Sequence, residues 1–118
     1  MMLDIQFRKN TLFVNKKSIK FDFEVGNAFV VNGKIVFLLK IPYDNHETLQ
    51  NIYCLNENCQ FLWQVQSILL AYPELSEEIP FEDIKLKDNG RISAYDFYGR
   101  NFEINPDNGH ITDFKISR

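Results

Sequence analysis

Few residues in this chain carry reactive chemistry: His46, His110, Cys54, Cys59, Asp96 beside Tyr95 and Gly99, and the run Asp107-Asn108-Gly109. A nucleophilic mechanism needs a base next to its Ser or Cys. Neither histidine has such a partner at a spacing that suggests one. The Asp-Asn-Gly run lacks the alternating oxygen ligands and terminal Glu of a calcium loop, so it reads as a turn. Asp96 reads the same way, as a carboxylate accepting hydrogen bonds from the backbone N–H groups that follow it. Gly-rich phosphate cradles, His-Glu-x-x-His and Gly-x-Ser-x-Gly are all absent from the sequence. The residues point away from catalysis, and no metal or cofactor is expected.

Cys54 and Cys59 flank Leu-Asn-Glu-Asn. A disulfide across a hairpin end is one geometry open to them, and a two-thiolate metal site would need two more ligands that His46 and His110 do not obviously supply. The reading taken is a pair of free, partly buried thiols.

Binding offers more than catalysis. Trp63 is read as core, whereas Tyr43, Phe81, Phe97 and Tyr98 fall in or beside loops. Residues 73–83 carry two prolines, no base and five acids: Glu74, Glu77, Glu78, Glu82 and Asp83. Aromatics rimmed by carboxylates would suit a basic protein partner, because complementary charge steers encounter and desolvated rings hold the complex. The competing reading is a solvated acidic loop whose neighbouring aromatics fold back over the core.

The elements that must position these residues are hairpins. Between Asn89 and Gly109 two short apolar runs, Ile92 to Phe97 and Asn101 to Asn105, are fenced by Asn89-Gly90, Tyr98-Gly99 and Pro106-Asp107-Asn108-Gly109. Each Gly supplies the positive φ of a tight turn. Upstream, Leu3 to Arg8 and Thr11 to Asn15 form an opening hairpin. Residues 18 to 25 alternate as one strand, with Ile19, Phe21, Phe23 and Val25 on one face, until Gly26-Asn27 breaks it. Asn32-Gly33 joins Ala28–Val31 to Lys34–Ile41, whose Ile-Val-Phe-Leu-Leu core is apolar on both faces, as in a central strand. A polar loop at 42–48 precedes a hairpin of Gln50–Asn56 and Gln60–Gln66. Ser67 to Tyr72 reads as strand or helical turn, with Pro73 closing either. Residues 73–83 are a surface loop, Asp83–Lys87 a strand, and the chain ends on a strand from His110 to Ser117. Eight to ten strands are expected in one domain spanning 1–118.

Residues 52–62 match residues 92–102 at a constant offset of 40, a period used by four-stranded propeller blades. Tyr53-Cys54-Leu55-Asn56 through Gln60 and Trp63 resembles the Tyr-Ala-Leu-Asp-x-x-Gly-Lys-x-x-Trp form of PQQ-like or WD40-like repeats, with Cys59 in place of Gly. Ala94-Tyr95-Asp96 through Gly99-Arg100 resembles it again without the Trp. Phe102 to Ile111 resembles the companion form Leu-Asp-Pro-x-Thr-Gly-x-Ile. Over residues 50–117 the resemblance implies blade-like antiparallel sheets. A chain of 118 residues supplies fewer blades than a ring needs, so the expected fold is all-β, either an open half-propeller or a small sandwich or half-barrel. The cofactor ligands of the enzymatic members have no counterpart here.

Composition fits that fold. Eleven Phe, five Tyr and 45% apolar residues suit a packed β domain, and 118 residues can bury roughly two-thirds of the unfolded chain's surface. A net charge of −3 and pI near 5.3 argue against nucleic acid, which needs clustered Lys and Arg. Without an 18-residue apolar run or a basic, apolar leader at its start, the chain reads as cytoplasmic and not membrane-bound. The functional expectation is a stoichiometric protein-binding module, an immunity or inhibitor protein neutralising a cognate basic toxin, with a monomer favoured. The alternatives are a structural repeat module self-associating through sheet edges and a small-ligand-binding β domain.

Overall fold

Asn32 and Gly33 both take positive φ, 51° and 73°, and this turn closes β4 (Val25–Val31) against β5 (Lys34–Leu39). Two primed-turn residues match the right-handed twist of the strands they join. The same logic of short turns produces the whole domain. The computed structural model describes residues 3–116.

Eleven strands occur among the described residues, against the eight to ten expected, in three antiparallel meanders. The first is β1 (Ile5–Arg8), β2 (Thr11–Val14) and β3 (Lys17–Lys20), paired in chain order. The middle sheet is β4, β5, β6 (Ile52–Leu55) and β7 (Phe61–Gln64). A helical turn, α1 (Ile68–Ala71), and a 3₁₀ turn (Pro73–Leu75) lead to the last sheet: β8 (Phe81–Leu86), β9 (Ile92–Asp96), β10 (Arg100–Ile104) and β11 (Ile111–Ile116). None of the sheets closes into a barrel. The fold is all-β.

The middle sheet is covered on both faces, as the unalternating apolar run of β5 predicts. Ile35, Phe37 and Leu39 pack with Leu12 and Val14 of the first sheet, while Val36 and Leu38 pack with Ile84, Ile92, Ala94 and Phe102 of the last. The far face of the last sheet carries Lys85, Ser93, Tyr95, Asn101, Glu103, Asp113 and Lys115, so the stack ends in a polar surface instead of seeking another layer.

Several boundaries depart from the sequence reading. The alternation through residues 18–25 is not one strand: β3 ends at Lys20, and residues 21–24 cross to the middle sheet. Phe21 and Phe23 still pack inward, so period two reported their burial, but the backbone has changed partners, Phe21 N–H bonding Asn10 O and Lys40 N–H bonding Glu24 O. Gly26-Asn27 does not break the chain either; it forms a bulge inside β4, where a Cβ on Gly26 would come within 2.9 Å of Leu38 Cδ2. Ser67–Tyr72 resolves as the helical turn. The presumed loop 73–83 is part 3₁₀ turn and part strand, since β8 begins at Phe81 and not at Asp83. The last strand begins at Ile111, and Ser117 lies outside the described residues.

Candidate functional site

Three segments converge at one end of the stack. The β5–β6 loop contributes Ile41, Pro42, Tyr43, Asn45, His46 and Leu49; the approach to β8 contributes Glu78, Ile79, Pro80, Phe81 and Glu82; the β9–β10 turn contributes Phe97 and Tyr98. They enclose a cleft of about 360 Å³. Tyr43 and Phe97 meet edge to face across it, with ring centroids 6.2 Å apart and planes at 83°. Both are open to solvent, Tyr43 at 81% and Phe97 at 66% of full exposure.

Local chemistry explains each wall. In the first, Asn45 Oδ1 accepts from the N–H groups of Glu47 (3.0 Å) and Thr48 (2.9 Å), which curls the polar loop and leaves Tyr43 at its tip. In the third, Asp96 Oδ1 accepts from the N–H of Tyr98 and of Arg100, both at 3.0 Å, and Gly99 takes φ 78°, so Phe97 and Tyr98 project from a tight turn. The second wall is held by Glu78, whose carboxylate accepts from Gln50 Nε2 (2.6 Å), Ser67 Oγ (2.7 Å) and Ile68 N (3.3 Å). That carboxylate is already engaged with α1 and the β6 approach. Ser67 thus sits at the start of α1 without its hydroxyl capping it.

Beneath the cleft lies Asn51, fully buried. Its Nδ2 donates to Leu39 O and Phe81 O, and its Oδ1 accepts from Phe81 N, each at 2.8 Å. One side chain therefore ties the end of β5 to the start of β8, in place of the ladder that separate sheets cannot form. Sequence reasoning missed Asn51, whose neighbours Gln50 and Ile52 do not distinguish it from a loop residue. It also missed His46 and Leu49 as lining residues, and Arg100 behind the turn.

The expected binding residues are distributed unevenly. Tyr43, Phe97, Tyr98, Glu78, Phe81 and Glu82 all line the cleft. Phe81, however, is 2% exposed, its ring against Phe102 at 5.7 Å, and so forms floor rather than surface. Glu77 stands behind Tyr98, and the hydrogen bond between their side chains is the main cause of a Tyr98 pKa above the usual phenol value. Glu74 and Asp83 lie outside the cleft; Asp83 Oδ1 accepts from Ile84 N (2.8 Å) and Asn27 Nδ2 (3.3 Å).

Both cysteines are free, Cys54 buried and Cys59 half-buried. Burial pushes the Cys54 thiol up to about 11, against a smaller opposing pull from Lys34. Among the described residues, no three His, Cys, Asp or Glu side chains converge as a metal site. No described helix is long and apolar enough to cross a membrane. The cleft is lined by the aromatic rings of Tyr43, Phe97 and Tyr98, the carboxylates of Glu78 and Glu82 and the imidazole of His46.

Residues 2–116 match a family described as a domain of unknown function, DUF7957. The chain belongs to this family. No curated protein and no solved structure matches it.

Proposed function

We propose that this domain is a stoichiometric protein-binding module that seats a basic partner on the cleft around Tyr43, Phe97 and Tyr98. The observation that carries the reading is the convergence of three solvent-open aromatics, from two separate loops, on one concave site. Isolated exposed apolar residues need no explanation, but a cluster of large rings around a concavity matches the composition of interface centres. Glu82 in the cleft wall, Glu77 behind Tyr98, Asp44 and Glu47 on the same β5–β6 loop as Tyr43 and a net charge of −3 favour a partner carrying Lys or Arg, whose cations also interact well with Tyr and Phe faces.

The specific form is an immunity or inhibitor protein whose partner is a basic toxin. Size, acidic charge and a ready-made contact cleft support it. The likeness to propeller repeats belongs to the same proposal: two four-stranded meanders stacked face to face are what such repeats build. A small-ligand reading has one support, the cleft volume of about 360 Å³, which lies within the range of ligand pockets.

Affinity capture with the tagged domain from its source cells, repeated with Tyr43→Ala plus Phe97→Ala and with Glu77→Lys plus Glu82→Lys, tests the reading. One basic protein should be retained stoichiometrically by the wild type and lost by both variants. A partner retained by both variants would remove the cleft from the interface. A melting-temperature gain from a metabolite library, without protein capture, would favour the small-ligand reading.

A further inference from the structure

The first sheet has three strands where the other two have four. In the middle sheet the fourth strand, β7, supplies Trp63, whose ring covers Gly109 in the turn that precedes β11 of the last sheet. The corresponding end of the middle sheet, the Cys59 turn and the first residue of β7, has no such cover from the first sheet. Phe61 is left 60% exposed. In its place lies a groove of about 510 Å³ beside β3, lined by Ile19, Phe21, Tyr53, Leu55, Cys59 and Phe61. Its aromatic floor is ordered: Phe21 packs on Phe37 at 4.8 Å, and Phe37 stacks on Tyr53 at 5.5 Å.

The strand bordering this groove has an unused side. β3 pairs only with β2 among the described residues. Phe21 N–H bonds Asn10 O, so alternation along an antiparallel pair turns the N–H and C=O of Ser18 and Lys20 away from β2, toward the groove edge. An edge of free peptide groups next to a row of apolar pockets is the arrangement that accepts an added strand. Charge then selects the occupant. The edge strand itself carries Lys17 and Lys20, with Lys16 in the turn before it, and no acid, while Asp22, beyond the end of β3, is the one charged residue lining the groove.

We infer that β3 receives an extended segment of a partner protein as a fourth strand, one that alternates apolar residues with Asp or Glu. Its apolar face fills the groove over Tyr53, Leu55 and Phe61, its backbone bonds Ser18 and Lys20, and its carboxylates, on the opposite face, meet Lys20, which shares the outer face of β3 with Ser18. This surface is separate from the aromatic cleft and takes a partner of the opposite charge.

Selection of a random octapeptide library against the whole domain tests the inference. The enriched sequences should alternate apolar with acidic residues. A synthetic peptide of the enriched sequence should slow amide hydrogen exchange at Ser18 and Lys20. Its affinity should fall about tenfold with Phe61→Glu, the loss expected for a truncated hot-spot contact, and also fall with Lys20→Glu. Phe61 is solvent-open, so its replacement leaves the fold intact; an unchanged circular dichroism spectrum verifies this. Absence of enrichment, enriched sequences without alternation, or protection that falls away from β3 would each overturn it. So would a concentration-dependent dimer in sedimentation that itself protects Ser18 and Lys20, since the edge would then belong to a second copy.

Discussion

Arg100 Nε donates to Asp96 Oδ2 at 2.6 Å, with both side chains buried, in the hairpin that carries Phe97 and Tyr98. The guanidinium continues outward, Nη1 donating to Glu77 O at 3.1 Å, while its carbon lies 5.2 Å from the Tyr98 ring centre and 5.6 Å from that of Phe102. Nη2 has no hydrogen-bond partner, so this end of the cation rests on the faces of the two rings. One cation thereby joins the β9–β10 turn, the acidic loop and the rim of the cleft.

Breaking this pair should be costly and replacing it cheap, because removing one partner strands a buried charge. Asp96→Ala should destabilise the domain by about 3–5 kcal/mol in urea unfolding, the loss of its turn hydrogen bonds included. The double variant Asp96→Ala with Arg100→Met should recover part of that loss. A single-variant cost near zero would mean that the turn holds without the pair.

The Glu77 contact makes Tyr98 a reporter for the loop. Hydrogen bonding to the carboxylate, then its charge, raise the Tyr98 pKa. A raised folded-state value means that the folded chain keeps the phenol proton after the unfolded chain has lost it. The contribution to stability is therefore complete below the unfolded phenol pKa, near 10, and disappears as pH rises through the folded one. Glu77→Gln should lower the Tyr98 midpoint in an ultraviolet or NMR titration. An unmoved midpoint would show that the loop does not hold Glu77 against Tyr98.

How far this was legible in the sequence depends on the range of the forces involved. Turns are local: Asn32-Gly33, Asn89-Gly90, Tyr98-Gly99 and Pro106–Gly109 can be read because positive φ demands Gly or Asn. The 40-residue self-match proves equally local. It sets β6–β7, third and fourth in their sheet, on β9–β10, second and third in theirs, and what the two share is an Asx-anchored turn: Asn56 Oδ1 accepts from Asn58 N and Gln60 N as Asp96 Oδ1 does from Tyr98 N and Arg100 N. The loop aromatics could be named as a group because loop and polarity are visible in sequence. Asn51, the third wall's Arg100 and the change of partner at residues 21–24 could not, since each depends on a bond across 12 to 30 residues or on which sheet the chain joins next.

Asn51 carries three buried hydrogen bonds between β5 and β8. Asn51→Ala leaves two carbonyls and one N–H of the backbone without those partners, so the expected loss is about 2–4 kcal/mol in chemical denaturation. Amide exchange at Phe81 should accelerate beyond the change in global stability, because its N–H is bonded to Asn51 Oδ1. Exchange there that merely follows global unfolding would show Phe81 held by other contacts.

The two thiols should separate under a disulfide reagent at neutral pH. Cys54 is fully buried, with its thiol pushed up to about 11, and the thiolate is the reacting species. Cys59, in its positive-φ turn, is half-buried. One equivalent per chain should react in the folded state, and mass spectrometry should place it on Cys59; the second should appear only in denaturant. Fast labelling of both would indicate that the middle sheet opens locally.

Trp63 and Gly109 test how the middle and last sheets are fastened. The indole N–H donates to Pro106 O at 2.9 Å, Gln66 N–H to Gly109 O at 3.0 Å and Ile111 N–H to Gln66 Oε1 at 2.9 Å, so the end of β7 is bonded to the β10–β11 turn at three points. The ring leaves no room at that turn, since a Cβ on Gly109 would stand 2.5 Å from Trp63 Cε3 and 2.8 Å from Cδ2. Gly109→Ala adds this clash to the cost of φ 77° for an L-residue, about 1–2 kcal/mol. Gly90→Ala carries the angular cost alone, since Gly90 has φ 81° with nothing within 4 Å of its Cβ position. Gly109→Ala should therefore destabilise by about 1–3 kcal/mol more than Gly90→Ala, the range for overpacking, and should red-shift Trp63 emission as the indole is displaced from its buried site. Equal costs with unchanged emission would mean that the ring yields freely and that the fastening rests on the three hydrogen bonds alone.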